Sequence, residues 1–181
     1  DDVPLAGPYL SALEALGRLD DCLTEGSAFL EQVPEAPAVA QLLRLVAIRL
    51  DRLAEITPLL VRTAEAVEGR PEALELSALV AMDADDYAGA RGLLSRVADP
   101  QGESACRLRL GIATTDPAVS RAEARRAYRA YRRLGVSHAG PEMQYGSYLL
   151  NAARSSSDLR EALAVVKAGL VHARGNPYFH R

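Results

Sequence analysis

His138, His172 and His180 are the only histidines of this 181-residue chain, and no two of them stand at the i, i+4 spacing that puts two metal ligands on one helix face. Cys22 and Cys106 lie far apart in the chain with no CxxC, so they form neither a metal nor a redox motif and read as two buried thiols. Ser27 and Ser147 follow glycines, but neither sits in a GxSxG elbow, and no motif supplies a histidine and an aspartate to activate them. GxxxxGK and GxGxxG are both absent, which removes the usual phosphate-cradling loops. The acidic pairs Asp20-Asp21 and Asp85-Asp86 could suggest acid-base work, yet both fall where a turn between helices is expected, and aspartate there serves as turn former or cap. The reading is a protein without cofactor, metal or catalytic centre, with an all-α enzyme of scattered catalytic residues as the minor alternative.

Arginine carries the remaining chemistry. Lys167 is the single lysine among 21 basic residues, a bias that follows GC-rich coding more often than function. From Ser120 to Leu134, at about 100° per residue, Ala124, Tyr128 and Tyr131 share one narrow arc, and Arg121, Arg125, Arg126, Arg129, Arg132 and Arg133 fan across the opposite side against Glu123 alone. Two readings follow. Either this is a solvated face neutralised by neighbouring acids or by another molecule, or it docks an anionic partner, because guanidinium groups grip carboxylate or phosphate in a bidentate way.

The elements that would position these residues come from a repeat. Leu19, Leu53, Tyr87 and Arg121 recur at one fixed step, and Cys22, Ile56, Ala90 and Ala124 recur at the same step three places later. That step, about 34 residues, is the period expected of helix-turn-helix arrays. Around the third point the text runs from Pro71 to Leu79, then Asp85-Asp86-Tyr87-Ala88-Gly89-Ala90, then Leu93-Leu94 and Pro100. The segment resembles a tetratricopeptide repeat, with Ala78 as the small residue of the first helix and Asp86-Tyr87-x-x-Ala90 as the turn into the second. A fifth unit appears at Asp158-Leu159-Arg160-Glu161-Ala162 after a slightly longer step, the extra four positions being assigned to the turn formers between Leu134 and Pro141. Arg44 and Ile112 replace the small residue expected in the first helix, so units two and four are degenerate.

The expected fold is all-α, a right-handed solenoid of about five tetratricopeptide-like hairpins forming one domain over residues 1–181. Its units are 3–36, 37–70, 71–104, 105–142 and 143–176, with 177–181 opening a further helix or a cap. Helices are expected at 8–17, 20–33, 38–50, 54–68, 71–83, 87–97, 103–114, 120–134, 142–154 and 158–173. Ser120 with Glu123, and Asp158 with Glu161, have capping-box spacing. Pro58 lies a few residues into its helix, with Thr57 as a candidate cap. Each hairpin has one apolar stripe that it cannot bury alone, so the units stack over a shared core.

The resemblance implies that first helices line a concave groove whose inward residues meet a ligand. Early units then offer Ser11, Glu14, Gln41, Leu45, Ile48 and Arg49; the centre offers Glu72, Glu75, Leu79 and Met82; later units offer Arg109, Gln144, Ser147, Asn151 and Arg154. An apolar middle with polar ends suits an amphipathic helix or extended peptide. Leu45, Ile48, Leu79 and Met82 as ordinary core between units is the competing reading. The lysine and asparagine set with which some chaperone-binding relatives clamp a terminal carboxylate is not recognisable here.

Composition bounds the rest. Apolar residues make up 49% of the chain, but only nine are Phe or Tyr and there is no Trp, so the core is built from Ala, Leu and Val. Residues 1–100 carry 8 basic and 18 acidic residues, residues 101–181 carry 13 and 6, and the overall charge of −3 conceals this asymmetry. Such a bipolar chain is expected to associate head to tail or to engage an anionic partner with its second half. No apolar run approaches the ~20 residues of a membrane span, and Asp1-Asp2 are acidic where a signal peptide is basic, so a cytoplasmic protein is expected. The missing initiator Met suggests an excised or processed product.

Function is therefore expected to be protein binding through the groove. A narrower version is a sensor or oligomerisation module of a transcriptional regulator, since Ala-, Leu- and Arg-rich arrays of this degenerate kind look like those of large bacterial activators. Nucleic-acid binding by the basic half is the alternative. Tyr128, Tyr131, Tyr145 and Tyr148 interleave with its arginines, but Tyr128 and Tyr131 stand at core spacing.

Overall fold

A computed structural model describes residues 3–135 and 139–173, and these form ten α-helices with no strand among them. In chain order they are α1 (Val3–Ala15), α2 (Leu19–Gln32), α3 (Pro37–Arg49), α4 (Leu53–Ala66), α5 (Pro71–Asp83), α6 (Tyr87–Leu94), α7 (Glu103–Thr115), α8 (Arg121–Arg132), α9 (Ala139–Asn151) and α10 (Ser156–Ala173). The sequence period is visible in where helices begin, since α2, α4, α6 and α8 open on the four residues that mark it. The chain divides into two compact units, one ending at Ala84 and one beginning at Asp85. The boundary falls between α5 and α6, which the period assigns to a single pair.

In the first unit α2 packs on α1 and α3, and α4 on α3 and α5; α1 also meets α3, α2 meets α4, and α3 meets α5. Leu10, Leu13, Leu23, Leu30, Leu43, Val46, Ile56, Leu60 and Leu76 fill the core. Gly26 of α2 is buried, and a Cβ there would run into the Leu43 side chain, which is why α2 and α3 come so close. In the second unit α7 packs on α6, α8 and α9, and α9 on α10. Its core gathers Leu110, Ala113, Ala124, Tyr145, Leu149 and Ala162. The place in the period held by Cys22, Ile56, Ala90 and Ala124 is buried throughout, with at most 2% of any of these residues exposed.

Local chemistry sets the boundaries. Pro37 and Pro71 open α3 and α5, where the missing amide has no helical partner in any case. Asp86 caps α6 by accepting the Gly89 amide at 2.8 Å. Ser120 and Glu123 form the expected capping box, with the Ser120 amide donating to Glu123 at 3.0 Å and the Glu123 amide to Ser120 Oγ at 3.3 Å. The turns repeat at the same step: Gly17, Asp51 and Asp85 all adopt left-handed φ between 56° and 74°.

Several expectations need correction. The first helix begins at Val3, so Pro8 lies inside it on the exposed side instead of opening it. Thr57 is no cap: it lies within α4, and its hydroxyl donates to the Leu53 carbonyl at 2.9 Å, one turn back. Asp20-Asp21 fall in the first turn of α2, where acids suit the helix dipole, and Gly17 makes the turn before them. Gly140 and Pro141 belong to the first turn of α9 and not to a loop. The cap of α10 is Ser155, whose hydroxyl accepts the Asp158 amide at 3.2 Å, three places before the cap expected at Asp158. The further helix or cap expected at 177–181 lies outside the described residues.

Candidate functional site

The first unit brings together the early and central candidates. Because α3 packs on both α1 and α5, residues one period apart on these helices become neighbours in a row. Leu45 on α3 and Leu79 on α5 are such a pair, and Ile48 and Met82 are another. Leu43, Val46 and Ala47 turn the opposite side of α3 into the core, leaving Leu45 55% and Ile48 46% exposed, while Leu79 and Met82 are half-buried. The result is an apolar patch on the α1, α3 and α5 face.

Two arginine pairs hold that face in register. Arg49 Nη1 donates to Glu14 Oε1 at 2.7 Å, tying α3 to α1. Arg44 grips Asp83 at the end of α5 with two bonds, Nε to Oδ2 at 2.6 Å and Nη2 to Oδ1, and both side chains are about nine-tenths buried. Arg44 is therefore no mere departure from the repeat; it replaces a small residue with a cross-helix clamp. Glu72 is exposed and Glu75 half-buried beside the patch, so its rim is acidic.

In the second unit the candidate arginines are largely engaged within the chain. Arg121 pairs with Asp158 at 2.7 Å and with Glu161 at 3.3 Å, and Arg125 with Glu161 at 2.5 Å. Arg132 meets Glu142, which is fully buried, at 2.7 Å. The Arg154 amide, followed by the Arg121 guanidinium, pulls the Asp158 carboxyl down to about 2. Arg129 and Arg133 are exposed. Arg109 donates to the Pro100 carbonyl at 2.7 Å, and Asn151 and Arg154 are exposed around the end of α9. The spacing of Asp158 and Glu161 marked them as a cap, whereas they serve as counter-charges for α8; nothing in the sequence marked Glu142.

Tyr131 and Tyr145 belong to the core, and Tyr128 and Tyr148 are half-buried against it. Tyr128 stacks on Tyr145 with ring centroids 4.3 Å apart, Tyr145 on Tyr148 at 6.1 Å, and Tyr131 is fully buried. Burial raises the phenols of Tyr128, Tyr131 and Tyr145, so all three are neutral at physiological pH.

Other groups are quickly placed. Cys22 and Cys106 are buried; the Cys22 thiol donates to the Leu10 carbonyl at 3.4 Å, and burial pushes its pKa up, away from the reactive thiolate. Among the described residues no three His, Cys, Asp or Glu side chains gather as a metal site, and no helix is long and apolar enough to cross a membrane. His138 and His180, and the side chain of His172, lie outside those residues. A groove of about 490 Å³ between α2 and α4 is lined by Leu23, Ser27, Glu31, Glu55, Ile56 and Leu59.

These features define an all-α protein with an exposed apolar patch on helices spaced at a constant sequence period. Compared with known proteins, the chain matches no family model, no curated protein and no solved structure.

Proposed function

We propose that the chain is a protein-interaction scaffold, an array of tetratricopeptide-like helix pairs that takes an amphipathic segment of a partner protein on the α1, α3 and α5 face. The observation that carries this reading is the exposure of Leu45 and Ile48 beside Leu79 and Met82, because a repeated apolar row in water is a surface awaiting a partner. Helix starts at a constant step and the packing of α3 on both α1 and α5 support the array. The acidic rim and the excess of acids in the first unit favour a segment with two or three apolar anchors flanked by Lys or Arg. An anionic partner on α8 has less support, since Arg121, Arg125 and Arg132 already answer acids of the chain, Tyr131 and Tyr145 are buried, and Tyr128 is already stacked on Tyr145.

The test is selection from an unbiased library of displayed peptides, followed by titration of the selected peptides into the Leu45→Asp/Ile48→Asp double variant. Both residues are exposed, so the variant should keep its helix content while affinity falls at least tenfold. Failure to select any peptide, or selected peptides that bind the double variant as well as the parent, would refute the reading.

A further inference from the structure

Two helices carry an apolar stripe that the described residues cover only in part, Val166 lying against Gly146 of α9 and Tyr9 beside Glu25 of α2. On α1 and the turn that closes it the stripe is Leu5, Tyr9, Ala12 and Leu16; on α10 it is Leu159, Leu163, Val166 and Leu170. Both run in steps of four, three and four, which confines four side chains to an arc of roughly 60° on a helix. Leu5, Tyr9 and Leu16 are 70, 49 and 68% exposed, and Leu159, Leu163 and Leu170 are 50, 52 and 45% exposed, where core leucines of this chain show 5% or less. A contiguous apolar stripe left in water marks an interaction surface.

Charge and packing indicate what covers them. Arg160 and Lys167, both exposed, run along one side of the α10 stripe, while two acids, Glu25 and Asp21, and one base, Arg18, act on the Tyr9 hydroxyl of the α1 stripe. Up to Ala84 the chain has 15 acidic and 6 basic residues, and from Asp85 it has 9 acidic and 15 basic. Two first units therefore repel each other, and a first unit attracts a second unit. Within the first unit an even-numbered helix packs on the odd-numbered one that follows, α2 on α3 and α4 on α5. An α10 that receives an α1 continues the same alternation.

We propose that the α10 stripe of one copy docks the α1 stripe of a second copy, so that chains associate head to tail. This contact uses faces other than the Leu45 patch and stands or falls apart from the peptide-binding reading. Three turns of helix bury less than the ~800 Å² per partner of a standard stable interface, so association is concentration-dependent. Because the two surfaces differ, each contact leaves one stripe of each kind unused.

The test uses the 181-residue chain in sedimentation equilibrium. The parent should associate as concentration rises, less so at high salt. Leu5→Glu/Leu16→Glu and Leu159→Glu/Leu163→Glu should each be monomeric with unchanged helix content, and an equimolar mixture should form 1:1 dimers and nothing larger, since each variant retains one working stripe. A parent that stays monomeric at its solubility limit overturns the proposal. So does an α1 variant that still self-associates, or a mixture that stays monomeric. Should the α10 leucine variant misfold, Arg160→Glu/Lys167→Glu takes its place, with at least a tenfold loss of association expected at low salt and no loss counting against the contact.

Discussion

One place in the period shows how a single residue type governs a helix crossing. Cys22, Ala90, Ala124 and Ala162 are all buried to 0% exposure and small, and Ile56, the bulky exception, is buried as well. Ala90→Leu should overpack its site and cost about 1–3 kcal/mol, read as a lowered midpoint in urea; a variant as stable as the parent would mean that the site has slack. The Arg132 and Glu142 pair gives a second prediction. Glu142 is fully buried, its Oε1 accepts from Arg132 and its Oε2 has no partner, so Arg132→Ala leaves a buried carboxylate with no counter-charge. The loss should be about 1–3 kcal/mol, moderated because the Arg132 side chain is 43% exposed, and Glu142→Gln in the same background should recover part of it. An unchanged midpoint for Arg132→Ala would show that the pair is screened. The small residues were legible in the sequence because they recur at a constant step. Arg44 with Asp83, and Arg132 with Glu142, were not, because cross-helix pairs depend on helix rotations that no period encodes.

At the scale of elements, periodicity and punctuation anticipate ten helices among the described residues, with starts that agree at α2 to α8 to within a residue and differ most at α1 and α9. They failed where two signals compete. Pro8 reads as a start but lies inside α1, and Asp158 reads as a cap when three serines stand just before it and Ser155 takes the role. Asp158 is freed for another task. It accepts the Arg154 amide at 2.9 Å and pairs with Arg121, which together hold its pKa at about 2 in the folded chain against ~3.9 for an unperturbed aspartate. A depressed folded value means that the stabilisation is complete above the unfolded pKa and disappears as pH falls from about 4 through 2. Thermal midpoints of the parent should therefore fall more steeply over that window than those of Asp158→Asn, although both fall as other carboxylates protonate. Parallel curves would show that Asp158 contributes nothing to the anchoring of α10 on α8.

The whole molecule joins a charge asymmetry legible in the sequence to a division that was not. The period reads as one array over residues 1–181, and the chain forms two compact units that divide after Ala84, between α5 and α6. Periodicity reports what each helix is and not how many contacts cross each turn. The first unit contains five helices, the contiguous core from Leu10 to Leu76, and both arginine clamps of the Leu45 face, Arg44 with Asp83 and Arg49 with Glu14. Within this unit every helix packs on helices near it in the chain, so a piece that keeps those neighbours keeps most of its packing. Residues 1–84 on their own should therefore be helical and unfold cooperatively, at a lower temperature than the full chain because a shorter domain buries a smaller fraction of its surface. Ellipticity in the far ultraviolet followed through a thermal ramp measures this. A fragment lacking helix would mean that α5 needs the residues after Ala84 to hold it. A folded fragment that binds the peptides selected by the full chain, and loses them on Leu45→Asp/Ile48→Asp, would confine the binding face to the acidic unit.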